Sequence, residues 1–304
     1  MASIYQDKTT NANFIPEMWS DEVLAVYKKS LVTVPFVKKL SFVGKKGDTI
    51  HVPKPGRGAA SVKQIGTDVT IIQDTAGTQP VVVDKHYEYS RYIEDFAEVQ
   101  SLASARAFYT DDAGYALSKQ IDTSILANVA DLQGGSAYDA AVDGATAAAT
   151  WDPDANSSTG NGANLTDVGI RRAIQTLEDQ DVPANDWVLL INPGQKNVLL
   201  GIDRFNSRDF TNTQGVKNGL FGEVYGIPVH TTTNLATVTA TDTTTDYKVC
   251  VLMQKEAIVF AEQMAIRSQV QYKQQKLATL YTADTIYGTD VYRTENGVGI
   301  MVPA

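Results

Sequence analysis

The sequence predicts an α+β protein, and three observations carry that prediction. One apolar stripe, Ala113, Leu117, Ile121, Ile125, Val129 and Leu132, recurs at helical spacing and marks a long rod. Residues 165–261 mix helical and strand signals in the manner of an α/β layer. From Ile266 to the C-terminus every segment reads as strand.

Residues 1–40 form a polar tail followed by an amphipathic segment. Ser20 is a candidate N-cap with Asp21 and Glu22 in the first turn, and Val23, Val26 and Tyr27 recur at helical spacing. This is a short helix on an arm, or one packed on its own domain. The opening residues MASIYQDKTTNANF lack the basic start and apolar run of a secretory signal.

Residues 41–93 read as β structure that leaves the body and returns. Ile50 and Val52 alternate with polar neighbours, and Val69–Ile72, Val81–Val83 and Tyr87–Tyr89 continue the strand signal. Turn residues cluster at Pro53–Gly56, Gly66, Gly77 and Pro80. The stretch GKKGDTIHVPKPGRG, residues 44–58, is cationic and poor in large apolar side chains, so the excursion is expected to be weakly anchored. An isolated hairpin is marginal in water and needs something to lie on.

The helical stripe starts with Phe96, Val99 and Leu102, and a fresh N-cap is expected at Thr110-Asp111-Asp112. From Asp111 to Leu132 the rod would be roughly 30 Å long, with Gly134-Gly135 as its stop. Residues 133–164 are small, polar and glycine-rich, a surface excursion. Thr166 then caps a helix with Ile170, Ile174 and Leu177 on one face. Trp187–Ile191 is a buried-strand run, and Asn192-Pro193 opens a short helix ending at Gly201. Residues 201–222 read as a polar loop, Val224–His230 as one strand, and the Thr-rich 231–246 as a turn-forming insert. Tyr247–Met253 and Ala257–Ala261 read as an apolar hairpin, and Gly288 and Asn296-Gly297 as turns between the last strands.

Composition narrows the chemistry. The chain has 304 residues, 43% hydrophobic, with no apolar run long enough for a membrane span. Its net charge of −9 argues against gripping nucleic acid, since Lys and Arg concentrate only at residues 38–63 and 267–276. The single cysteine, Cys250, lies in an apolar run and reads as a buried structural thiol of a protein kept in a reducing cytosol. His51, His86 and His230 form no metal-type pair, and no GxSxG is present. Gly44-Lys-Lys-Gly-Asp48 lacks the complete phosphate-loop pattern. The acid pairs Asp111-Asp112 and Glu178-Asp179 read as caps or solvated faces. Tyr272, Tyr281, Tyr287 and Tyr292 read as sheet packing, and Arg267, Lys273 and Lys276 as a solvated or inter-subunit face. No catalytic, cofactor or metal set emerges.

The order of parts, with Gly222-Glu-Val-Tyr-Gly-Ile-Pro-Val-His230, Thr233-Asn234-Leu235, Lys255-Glu-Ala-Ile-Val-Phe-Ala261 and Gln120–Leu126, resembles the tailed-phage major capsid proteins of the Hong Kong 97 (HK97-like) fold. The resemblance implies an N-terminal arm (1–40), an extended β-hairpin loop (41–93), a spine helix of the peripheral domain (94–132) and a Gly/Ala-rich insertion (133–164). An axial α/β domain (165–261) and a peripheral β-sheet (262–304) complete it. It implies a structural, non-enzymatic subunit of hexamers and pentamers in an icosahedral virion shell around phage DNA, made in the host bacterial cytoplasm. Lys45, Lys46, Lys54, Arg57 and Lys63 would contact a neighbouring subunit, setting register more than affinity. Scaffolding, portal and decoration proteins are further implied partners; packaged double-stranded DNA lies alongside without sequence-specific binding, and no cofactor or membrane is involved. Because the chain starts almost directly with the arm, a separate scaffold or prior cleavage is implied. Some relatives crosslink a loop lysine to a neighbour's asparagine, for which Lys54 or Lys63 with Asn296 is the candidate here. Two other readings stay open, an encapsulin-type cellular compartment and an α/β enzyme with a β accessory domain.

Overall fold

A computed structural model of the chain describes residues 32–41, 43, 47–54, 58, 60–66, 68–69, 71, 77–95, 105–135, 138–139, 158, 162–202 and 222–304. The amphipathic segment capped by Ser20, the stripe Phe96–Leu102 and most of 133–164 and 201–222 lie outside them. In order come β1 (Lys38–Ser41), β2 (Thr49–Lys54), β3 (Gly77–Val82), β4 (Lys85–Glu94), the helix α1 (Ala105–Ala127) and β5 (Tyr138–Asp139). Then follow α2 (Asp167–Asp179), β6 (Trp187–Ile191), α3 (Pro193–Leu200), β7 (Glu223–Val224), β8 (Ile227–Thr231) and β9 (Thr237–Thr239). The chain ends with β10 (Asp246–Gln254), β11 (Ile258–Lys273), β12 (Ala278–Val291) and β13 (Gly297–Pro303).

The helix α1 is the rod the stripe predicts, and all six stripe residues are buried. It does not begin at Thr110-Asp111-Asp112: those residues lie inside a helix already formed at Ala105. Asp112 instead accepts a hydrogen bond from the Tyr89 hydroxyl at 2.8 Å. The last turn tightens into a 3-10 segment, Asn128–Gly135, ending at the expected glycines. Ala113 and Leu117 pack on Tyr281 and Ala283 of β12, while Ile121–Leu132 enter the main core.

Two sheets flank this rod. A four-stranded sheet runs β1-β11-β12-β4, and a seven-stranded sheet runs β5-β13-β10-β6-β8-β7 with β9 beside β10. The caps are as the sequence predicts: Thr166 Oγ1 accepts from Gly169 N at 3.1 Å, and Asn192 Oδ1 from Gln195 N at 2.7 Å. Trp187–Ile191 is buried along its whole length.

Several expectations are corrected. Tyr247–Met253 and Ala257–Ala261 do not pair with each other; β10 joins the seven-stranded sheet and β11 the four-stranded one. The continuous apolar run reflects a chain that crosses between two buried sheet centres. Gly288 is no turn, and β12 passes straight through it. A Cβ there would stand 2.2 Å from Val82 O, so glycine lets the β3 backbone close on β12. Asn296-Gly297 is not a hairpin either. Gly297 has extended backbone (φ −156) and opens β13 in the other sheet, where a Cβ would meet Leu132 Cδ1 at 2.6 Å. Val224–His230 breaks at Tyr225-Gly226, whose positive φ values of 53 and 77 suit a two-residue hairpin turn. The insert 231–246 contributes β9, and 133–164 contributes β5, parallel to β13. The expected sheet of 262–304 is therefore divided, since β13 pairs with β10.

Candidate inter-subunit loop

β2 and β3 form an antiparallel ladder from Thr49 opposite Val82 to Lys54 opposite Gly77. The alternation read in Ile50 and Val52 turns one face inward, where they and buried Val81 and Val83 pack with Leu40, Val259, Ala261, Ile286 and Tyr292. Polar pins reinforce the contact. Tyr292 donates its hydroxyl to Pro53 O at 3.1 Å, Gln79 Nε2 donates to Asp290 Oδ2 at 3.2 Å, and Gln263 Nε2 donates to Gly47 O at 3.0 Å. The base of the loop is thus anchored to its own chain, contrary to the expectation of weak attachment. β-branched residues every second position supply what the sparse large side chains seemed not to.

Among the described residues between Lys54 and Gly77, four large apolar side chains stand exposed. Val62 is 93% exposed, Val69 67% and Ile71 84%, and Ile65 is fully exposed. Val69 and Ile71, read as strand from their alternation, carry no strand pairing. Contiguous patches of exposed apolar side chains mark interaction surfaces.

Of the five nominated cations, Lys45, Lys46 and Arg57 lie outside the described residues. Lys54 Nζ pairs with Glu295 Oε1 of its own chain at 3.5 Å, and Glu295 also meets Arg293 Nη1 at 3.5 Å. Lys63 Nζ donates to Gln64 O at 3.2 Å at the exposed tip. The sequence reading missed the apolar tip; its signal was Val62, Ile65, Val69 and Ile71 standing in a stretch otherwise made of turn residues. Asn296 is unsuited to the crosslink nominated for it, being 6% exposed with its amide donated to Gln254 Oε1 at 2.6 Å.

Among the described residues, Cys250 and most of the tyrosines singled out from the sequence sit in packing contacts. Burial pushes the Cys250 thiol up to about 12, so it stays protonated. The His230 ring lies 4.7 Å from that of Phe36. Tyr281, Tyr287 and Tyr292 are buried in sheet packing, and Tyr272 donates its hydroxyl to Asp95 Oδ2 at 2.6 Å. Among the described residues no metal-type cluster occurs, and no helix is long and apolar enough to cross a membrane.

Arg267 grips buried Asp284 with Nε to Oδ1 at 2.8 Å and Nη2 to Oδ2 at 2.9 Å, and His86 Nε2 is 3.3 Å from Oδ2. The Arg267 hydrogen bonds, aided by His86 and opposed by burial, hold the Asp284 carboxyl below its ordinary range. A carboxyl depressed by folding stabilises above its unfolded value, about 3.9, and loses that contribution as pH falls toward the folded value. Asp284→Asn is therefore expected to flatten the fall in stability below about pH 4, measured by urea unfolding across pH.

A family model described as Phage capsid protein matches residues 43–301. No curated protein matches the chain. Among solved structures, that of Mycobacterium phage Che8 is similar at 21% identity and TM-score 0.72, covering 95% of this chain and 97% of that one. The capsid of cyanophage P-SCSP1u is similar at 18% identity and TM-score 0.76, covering 96% and 94%. The acidic stable capsid of Helicobacter pylori bacteriophage KHP30 is similar at 11% identity and TM-score 0.72, covering 100% of both chains.

Proposed function

The chain belongs to the phage capsid protein family, as a structural protein with the α+β HK97-like fold, and from that premise we propose that its copies assemble as hexamers and pentamers into an icosahedral shell around packaged DNA. In this reading the loop of residues 41–93 reaches over a neighbouring copy and α1 is the spine. The four-stranded sheet is the body of the peripheral domain, and the seven-stranded sheet that of the axial domain. Scaffolding, portal and decoration proteins are its further partners, synthesis is in the host bacterial cytoplasm and its place is the virion. A net charge of −9 suits a wall lying beside packed DNA without adhering to it.

The observation that carries the reading is the uncovered apolar tip on an anchored base. Full burial of an exposed Val or Ile is worth about 1.5–3 kcal/mol, and most of that is still to be gained by Val62, Ile65 and Ile71, with Val69 two-thirds exposed. The nominated cations act at the rim, with Lys63 at the tip and Lys54 already engaged by Glu295. Electron microscopy of purified protein tests this. The natural chain is expected to form closed shells, and a chain with Val62→Asp and Ile65→Asp is expected to stay folded by circular dichroism yet form none. Normal shells from that variant would refute the role given to the tip.

A further inference from the structure

A cleft of about 330 Å3 opens at the root of β1, lined by Val34, Val37, Lys38, Lys39, Lys255 and Glu256 among others. Three lysines there face one carboxylate. Lys38 is engaged, with its Nζ 3.0 Å from Glu256 Oε1 and 4.8 Å from the Tyr292 ring centroid. Lys39 and Lys255 are exposed and have no ion-pair partner among the described residues.

A group of opposite charge stands beside this cleft. Trp187 of β6 pairs with Gln254 of β10, so Asp186 and Lys255, one residue further out, leave the sheet side by side. Asp186 ends the connection from α2 to β6, and residues 178–186, which run from the last turn of α2 through that connection, carry Glu178, Asp179, Asp181 and Asp186 with no lysine or arginine. All four acids are exposed. The connection has a set shape. Asp181 (φ 56) and Asp186 (φ 59) hold left-handed backbone, Asp181 N and Val182 N donate to Glu178 O and Leu177 O at 2.9 and 3.0 Å, and the Val182 side chain is buried. Among the described residues no ion pair joins these acids to Lys39 or Lys255.

A subunit that presents an acidic projection next to a cationic cleft, without joining them, is complementary to a rotated copy of itself. Head-to-tail contacts of this kind close into rings where the rotation between copies closes. We propose that the cleft formed by Lys38, Lys39 and Lys255 receives carboxylates of the 178–186 connection of a neighbouring copy, a contact that rests on the reading of the chain as a self-assembling shell subunit. The adjacent acids repel a phosphodiester approaching the same cleft, while they are themselves the ligand chemistry the lysines suit. At an exposed rim such pairs set register and association rate, and they weaken as salt rises.

Charge reversal tests it on the full chain, with folding checked by circular dichroism. Lys39→Glu/Lys255→Glu and Glu178→Lys/Asp179→Lys are each expected to raise the protein concentration needed for assembly at low salt about tenfold. The chain carrying all four changes is expected to return to within about threefold of the natural one, and the differences are expected to fade at high salt. Lys39→Gln/Lys255→Gln, a milder change, is expected to fall between. The proposal is overturned if the lysine-reversed chain assembles like the natural one or if the fourfold chain shows no rescue. It is likewise overturned if shells form normally but retain less nucleic acid, which would make the cleft a phosphate site. Failure of the natural chain to assemble at all would instead refute the shell reading on which the contact rests.

Discussion

Replacing Tyr287 by alanine is expected to lower the stability of the isolated subunit by about 3–5 kcal/mol, the scale for deleting a buried aromatic side chain. Tyr287 is fully buried in the middle of β12, under α1. Its ring lies 5.9 Å from that of Tyr87 and 5.7 Å from that of Phe260, so β4 and β11 both lose a packing partner. Its hydroxyl lies 2.8 Å from Ser124 Oγ and donates to Gln120 O at 3.3 Å, which ties the sheet to the helix backbone. Burial pushes that hydroxyl up to about 12 against the Ser124 hydrogen bond, so it remains a donor throughout the range in which the fold is studied. Tyr287→Phe keeps the ring and forfeits only the hydroxyl contacts, with an expected loss near 1 kcal/mol. Equilibrium unfolding in urea separates the two. Equal losses for Phe and Ala would mean that the hydroxyl, not ring packing, joins helix to sheet. A loss in Tyr287→Ala comparable with the whole stability of a domain, about 5–15 kcal/mol, would leave no soluble subunit to assemble.

Tyr287 also illustrates what a sequence carries and what it does not. The stripe Ala113–Leu132, the caps at Thr166 and Asn192 and the run Trp187–Ile191 are local patterns, and each is where periodicity and capping chemistry put it. Which sheet a strand joins is a long-range fact. Val249–Met253 and Ala257–Ala261 are adjacent in sequence and equally apolar, yet they part into different sheets, and no property of the fifteen or so residues concerned distinguishes that from a hairpin. Gly288 and Gly297 were read as turns because glycine is commonest there, whereas both leave room for a close neighbour whose identity lies far along the chain. The candidate site divides in the same way. The strand read at Ile50 and Val52 is β2, paired with β3. At the far end of the loop Val69–Ile72 reads as strand, yet Val69 and Ile71 are exposed and carry no strand pairing, because alternation alone does not tell a face packed on a core from one left exposed.

The second large effect is expected at Asp122. This side chain is fully buried on α1, and each of its oxygens accepts from a different element: Oδ1 from the backbone N of Thr33 at 3.0 Å, and Oδ2 from Asn234 Nδ2 at 3.0 Å. Thr33 lies just before β1, and Asn234 follows β8 with its own backbone N donating to Thr232 Oγ1 at 3.2 Å. One carboxyl group therefore joins the approach to the four-stranded sheet, the helix, and a loop of the seven-stranded sheet. Asp122→Ala strands two buried donors at about 1–3 kcal/mol each, for an expected loss of about 2–6 kcal/mol. Asp122→Asn keeps the volume and one acceptor, and rotation of the Asn234 amide restores the second bond, so a loss of about 1 kcal/mol is expected. Hydrogen exchange gives the decisive readout. Protection of the Thr33 amide is expected to collapse in the alanine variant and largely persist in the asparagine one. If Thr33 stays protected in both, other contacts hold the root of β1, and Asp122 serves the helix and the Asn234 loop alone.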